Sequence, residues 1–367
     1  LLSDYFLNPF LRILFKDEGF ETGFSAPLLF LLEEKMQNKY LLSICIPTRN
    51  QPRDLRQTLH SILPQLTDEV EIVIGDDSDN LETENMIAKD FQNFQIHYFS
   101  NNGALGIDKN IFKITQFAKG EYVWWFGDDE IKMGAIARVL EILKNHADIS
   151  MIFINYLVSG QNLAAVNLNK DKFFKDRNQV LEEIANGLTF ASAILFKKDT
   201  VSNLNQESLG RFMGSKFINF YLVMHILSGD GKFYFLSTPY IICHPTTINK
   251  IIDKVSQGGI INNDGFQVFG IILYNIIQEF KNKFNKHSLR KMLAKNFSCV
   301  WRGMVVGWVG GWDTPKGKRW QMFKLYKSFP EFWIAFPLML MPRFVNKVLY
   351  RVYKIFFSHR RFKLIKM

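Results

Sequence analysis

Three consecutive carboxylates, Asp128, Asp129 and Glu130, follow an apolar run, Tyr122-Val123-Trp124-Trp125-Phe126, with only Gly127 between. Like charges packed this closely repel, and such clusters usually gather a compensating cation. Hard oxygen donors with few other ligand types suit Mg²⁺ or Mn²⁺, shared with a phosphate of the substrate. The stretch therefore reads as a metal–diphosphate site. Taken alone, acids after a strand serve equally as solvated loop residues or at a helix N-terminus. The reading depends on what else reaches the same place.

The surrounding elements supply that. Tyr40–Pro47 is a continuous apolar run ending at proline, the pattern of a buried parallel strand. Thr48-Arg49-Asn50 form a polar loop, and Leu55, Leu59, Ile62 and Leu63 recur at helical spacing. Val70–Ile74 is a second strand running into Gly75-Asp76-Asp77-Ser78-Asp79, and Glu82–Phe91 a helix. Gln95–Phe99 is a third strand, and Ile107–Ala118 a helix with Ile111, Ile114 and Phe117 on one face. Tyr122–Phe126 is the fourth strand, Met133–Asn145 a helix and Ser150–Tyr156 a fifth strand. This alternation predicts an α/β fold, a Rossmann-like, mostly parallel sheet with helices on both faces. Parallel strands share one carboxyl edge, so the loops at Thr48, Asp76 and Asp128 should converge there, as a ligand pocket requires.

Beyond residue 157 the periodicity weakens. Phe190–Phe196 reads as a strand, Lys216–Leu227 as a helix, and Lys232–Leu236 with Tyr240–Cys243 as a strand pair ending at His244. Gln267–Phe280 and Ser288–Phe297 read as amphipathic helices. The expected organisation is an N-terminal extension over 1–38, a domain over 39–265 with halves 39–156 and 157–265, and a helical region over 266–367. Met36 looks like a natural start, which sets residues 1–35 apart as peripheral.

The net charge of +10 calls for an anionic partner: nucleic acid, a membrane face or a phosphorylated substrate. Cys45, Cys243 and Cys299 are too far apart for a zinc pattern or a disulfide framework, so a cytosolic setting is the simpler reading. No run reaches the ~18 uninterrupted apolar residues of a spanning helix. Phe329–Met341 is strongly apolar but broken at Pro337. From Arg343 onward there are eight Lys or Arg and no acid. Arg343, Lys347, Arg351 and Lys354 would form one helical stripe, and Val345, Val348, Leu349, Val352 and Phe356 the other. A basic amphipathic helix of this kind lies in a membrane interface. At roughly 1 kcal/mol per basic residue near an anionic surface, eight suffice for attachment. These residues flank apolar helix faces and form no recognisable nucleic-acid reader.

Four blocks, SICIPTRN (43–50), EIVIGDDSDN (71–80), NNGALGIDKN (101–110) and GEYVWWFGDDE (120–130), resemble in order and spacing the family 2 glycosyltransferases of GT-A fold. The Gly-Asp-Asp ending looks closest to the branch of O-antigen sugar transferases that includes abequosyltransferases. The resemblance implies that Pro47, Thr48 and Arg49 line a nucleoside pocket. It implies that Asp76 or Asp77 accepts hydrogen bonds from base or ribose, and that Lys109 lies near the nucleotide. Asp129 would bind the metal, with Asp128 beside it and Glu130 in support. The usual first Asp of the Asp-x-Asp element falls on Gly127. His244 looks like the family's late His, touching metal or diphosphate. The acidic pair that normally supplies the catalytic base is missing from Gly210–Ile226, which leaves Asp230, Glu207 and His225 as candidates.

Glycosyl transfer needs charge stabilisation of the leaving diphosphate, alignment of donor and acceptor, and a base. The leading expectation is a metal-dependent, inverting transferase on the cytoplasmic face of a bacterial membrane. It would move sugar from a nucleoside-diphosphate sugar to a saccharide or lipid-linked acceptor of surface polysaccharide. The alternatives are an inactive transferase-like membrane scaffold, kept open by the missing base, and a sugar-1-phosphate nucleotidyltransferase. The last should have a glycine-rich loop after its first strand, and Thr48–Pro52 contains no glycine.

Overall fold

The computed structural model describes residues 40–157 other than 102 and 104, then 164–243, 266–297 and 316–351 other than 343, 347 and 350. The first half alternates as its periodicity predicts: β1 (Leu42–Thr48), α1 (Pro52–Ile62), β2 (Val70–Asp76), α2 (Glu82–Asp90), β3 (Ile96–Ser100), α3 (Ile107–Phe117) and β4 (Tyr122–Trp125). A two-residue strand β5 (Glu130–Ile131), helix α4 (Ala135–Asn145) and strand β6 (Ile149–Leu157) follow. The second half contributes β7 (Lys172–Phe174), α5 (Arg177–Glu183), β8 (Ile194–Lys197), α6 (Gln206–Phe212), α7 (Ile218–Ser228) and β9 (Lys232–Ile242).

The strands form one sheet in the order β3-β2-β1-β4-β8-β6-β9-β5, with β7 on β9. β1 to β4 are mutually parallel. β8 runs antiparallel between β4 and β6, while β9 is parallel to β6. The chain steps outward from β1 to β3 and then returns past β1 to β4. Right-handed crossovers therefore put α1 and α2 on one face and α3 on the other. The direction reverses between β1 and β4, and ligands bind at the carboxyl ends of strands at such a switch point.

β1, β2 and β4 are buried along their length because helices cover both faces. Their amino ends are latched by one buried acid. Glu71 Oε1 accepts hydrogen bonds from Ser43 Oγ at 2.5 Å and from the amide of Gly120 at 3.3 Å. α3 lies so close to β2 that a Cβ on Gly75 would fall 2.2 Å from Asn110 Oδ1 and 2.4 Å from Ile114 Cγ2. Glycine is required there by close approach, and Asn110 Nδ2 donates to the Gly75 carbonyl at 2.7 Å.

Two expectations are corrected. The strand pair read over 232–243 is a single strand, β9. Its register on β6 shifts between Leu236 and Ile241, the stretch in which the Ser237 amide and hydroxyl both bond Asp171. The strand expected over 190–196 begins only at Ile194, after a 3₁₀ turn at Ala191–Ala193. Toward the C-terminus, a π-helical turn at Phe266–Ile272 leads into α8 (Leu273–Glu279), and residues 286–297 are helical (α9). α10 (Lys316–Tyr326) and α11 (Pro330–Leu340) pack through Phe323, Tyr326, Phe329, Phe332 and Phe336. Among the described residues no helix is long and apolar enough to cross a membrane.

Candidate active site

The acidic turn after β4 is built from the core outward. Trp124 and Trp125 are fully buried, and each indole N–H finds a partner: Trp124 the Ser192 carbonyl at 2.8 Å, Trp125 the Thr115 hydroxyl at 2.9 Å. Ser192 then clamps the turn. Its Oγ accepts from the Gly127 amide at 2.9 Å and donates to Asp129 Oδ2 at 2.5 Å. Asp129 is 4% exposed and also accepts from the Cys243 thiol. Burial, reinforced by that carboxylate, pushes the Cys243 thiol up to about 12. Asp129 thus points into the protein and Asp128 faces the neighbouring cavity. Glu130 lies in β5, paired with Ile242.

The β2 loop separates its two aspartates in the same way. Asp76 accepts from the Ser78 hydroxyl at 2.5 Å and from Tyr98 Oη at 2.6 Å. Burial and the adjacent Asp76 carboxylate drive the Tyr98 hydroxyl well above the usual phenol range. Asp77 reaches the cavity, and its two oxygens accept the amides of Leu105 (2.9 Å) and Gly106 (2.8 Å). Gly106 has φ +77°, a conformation open to glycine, and it starts α3. Arg49 lies 3.8 Å from Asp77 and 3.7 Å from Asp79, so the loops after β1 and β2 are bridged by charge.

The second half of the domain enters through α7. Asp108, 2% exposed in the first turn of α3, accepts the amide of Lys216 at 2.7 Å and that of Ile218 at 3.3 Å. Burial raises the Asp108 carboxyl above its ordinary range, and the amides of residues 214–218 pull it back down. Lys216 and Asn219 consequently face the cavity.

The cavity, about 310 Å³, lies at the switch point between β1 and β4. Pro47, Thr48, Arg49, Asp77 and Asp128 line it, together with Asn110, Lys216 and Asn219. Thr48 Oγ1 is buried and has no hydrogen-bond partner among the described residues. Buried polar groups are normally paired, so a ligand atom is the natural partner.

Other predicted residues are not brought here. Lys109 is exposed on α3, outside the lining. Asp230 precedes β9 at the opposite end of the sheet; its side chain is 99% exposed and 2.7 Å from Arg177. Glu207, 86% exposed, pairs with Arg211. His225 sits late in α7 against Phe280, and burial pulls its imidazole below the ordinary range. His244 lies outside the described residues. Among the described residues no group of three His, Cys, Asp or Glu is placed to hold a metal. Sequence reading missed Ser192, Asp108 and Lys216, which lie far apart in the chain and carry no local motif.

An α/β sheet reversing between β1 and β4, with acidic loops converging on that point, defines a GT-A glycosyltransferase fold. S. aureus TarS residues 1–349 share it: the complex with UDP superposes with a TM-score of 0.54 at 13% identity, covering 84% of this chain and 91% of that one. The complex of the same protein with UDP-GlcNAc gives 0.53 at 12% identity, with the same coverage. Residues 43–201 match the family described as Glycosyl transferase family 2. Abequosyltransferase RfbV of Salmonella typhimurium (strain LT2) is 26% identical over 224 residues, 55% of this chain and 66% of that protein. The chain thus spans just under two thirds of that relative.

Proposed function

We propose that the protein transfers a sugar, with inversion, from a nucleoside-diphosphate sugar to a saccharide or lipid-linked acceptor in bacterial surface-polysaccharide synthesis. The observation that carries this reading is the cavity at the β1/β4 switch point. There the unpartnered Thr48 hydroxyl, Asp77 and Asp128 face the same space. The likeness to an abequosyltransferase supports the surface-polysaccharide setting. Thr48, Arg49 and Asp77 hold the nucleoside, and Trp125 and Phe126 form the apolar floor.

The donor set fits a Mg²⁺ or Mn²⁺ ion bound in the manner usual for Mg²⁺, through one or two carboxylates with substrate phosphates completing the shell. Asp128 is the carboxylate that would hold it; Asp129, turned toward Ser192, fixes the turn. Such a cation supplies positive charge as the diphosphate departs. Direct displacement forms the bond from the acceptor oxygen to the sugar carbon as that carbon's bond to the diphosphate breaks, inverting it; the nucleoside diphosphate leaves and the hydroxyl proton passes to solvent.

The C-terminal helices support attachment to an anionic membrane face. Trp320, Trp333, Leu340 and Phe344 are exposed, with Lys324 Nζ 5.7 Å from the Trp320 ring and Lys327 Nζ 5.7 Å from that of Phe323. Aromatics with lysines at this spacing suit a headgroup boundary.

The test is a thermal-shift panel of UDP, GDP, CDP and dTDP, each with and without Mn²⁺, on the wild type and Asp128→Asn. Binding at ~100 times the dissociation constant adds about 2.7 kcal/mol. One nucleotide should give a Mn²⁺-enhanced shift, with the enhancement lost in D128N. No shift with any of the four would remove the transferase reading and favour an inactive scaffold.

A further inference from the structure

We propose that Lys216 is a donor-diphosphate binding residue, and that Asp108 is the positioning residue that holds it in the cavity. The inference rests on the sugar-transfer reading and adds to it a cation from the second half of the domain. Of the residues lining the cavity, Arg49 and Lys216 carry positive charge. Arg49 is bridged to Asp77 and Asp79 across the nucleoside loops. Lys216 lines the same cavity with Asn219, and its ammonium offers a counter-charge to the diphosphate of a nucleotide whose nucleoside is held by Thr48 and Asp77.

The backbone argues the same way. Lys216 has φ +65°, in the left-handed region that disfavours any residue with a Cβ. Gly214, two residues earlier, also has positive φ, at +87°. A strained lysine persists where its surroundings over-determine it, and such outliers gather at functional sites. Here the determinant is Asp108. Its two oxygens take the amides on either side of Phe217, and its burial makes those bonds hard to exchange for water. A glycine would satisfy the same turn without strain, so the side chain is what the strain retains. An ammonium is a compact charge that binds phosphate oxygens without demanding bidentate geometry. Asp108 is contributed by α3, whose first turn also borders the nucleoside loops. One short helix therefore sets the spacing between the two sides of the donor site.

The test compares wild type with Lys216→Gly, Lys216→Met and Asp108→Asn by calorimetric titration. The titrants are whichever of UDP, GDP, CDP or dTDP shifts the wild-type melt, and the corresponding nucleoside. K216G and K216M should weaken the nucleoside diphosphate about five- to tenfold, the scale of one charge-assisted hydrogen bond at a partly open site. Nucleoside affinity should not change. K216G should melt no lower than wild type, since glycine relieves the left-handed residue; this separates lost charge from lost fold. D108N should show part of the diphosphate defect, and the D108N/K216M double variant no more than K216M alone, because Asp108 acts through Lys216. Diphosphate affinity unchanged in K216G and K216M, with the wild type binding normally, overturns the inference and leaves the transfer reading standing. A wild type that binds none of the four nucleotides overturns both.

Discussion

Replacing Ser192 by alanine removes one hydroxyl that serves two groups. Its Oγ accepts the Gly127 amide at 2.9 Å and donates to the buried Asp129 carboxylate at 2.5 Å. A hydrogen bond to a charged group contributes roughly 1.5–3 kcal/mol, and a neutral one roughly 0.5–1.5 kcal/mol. Asp129 keeps the Cys243 thiol as a donor, so the charge is not wholly abandoned. We expect Ser192→Ala to cost about 2–4.5 kcal/mol, from the sum of those two contributions. Urea denaturation should read this as a fall in midpoint with an unchanged slope. Asp128 sits between the two residues that Ser192 holds, so nucleotide affinity in the presence of Mn²⁺ should fall as well. In the S192A/D129N pair a neutral amide replaces the carboxylate that has lost Ser192, and the loss should be smaller than the sum of the single losses. A loss below about 0.5 kcal/mol, the level of an ordinary surface change, would show that the clamp does not hold the turn. So would full Mn²⁺-dependent binding in a clearly destabilised S192A.

Thr48→Val should move stability and affinity in opposite directions. It removes an unpartnered buried hydroxyl and should raise the ligand-free melting temperature, while weakening nucleotide binding by about 1 kcal/mol, one hydrogen bond; a destabilised apo protein with unchanged affinity would refute the assignment. Trp320→Ser with Trp333→Ser should release the protein from vesicles containing anionic phospholipid, and raised salt should release the wild type. Sedimentation that is unaffected by both changes would place the exposed aromatics outside any membrane contact.

The sequence by itself determined the first half of the domain. Apolar runs of strand length alternating with helical periodicity leave few topologies, and right-handed crossovers reduce them to the arrangement found. It also marked the loops after β1, β2 and β4, because a buried strand that ends in acids is a strong local contrast. The order β4-β8-β6 was not legible, since a short antiparallel strand carries no signal of which gap it fills. Nor was the choice within each acidic pair. Asp76 and Asp77 are neighbours of one type, as are Asp128 and Asp129. Which of them faces the cavity is fixed by Tyr98, Ser78 and Ser192, partners that the fold alone brings near. That Gly210–Ile226 carries no acid was plain in the sequence. What stands there became visible only in three dimensions, where Asp108 reaches across 108 residues of chain to hold Lys216. Local pattern sets which face of an element is buried. A side chain's partner depends on elements distant in the chain, and only their packing decides it.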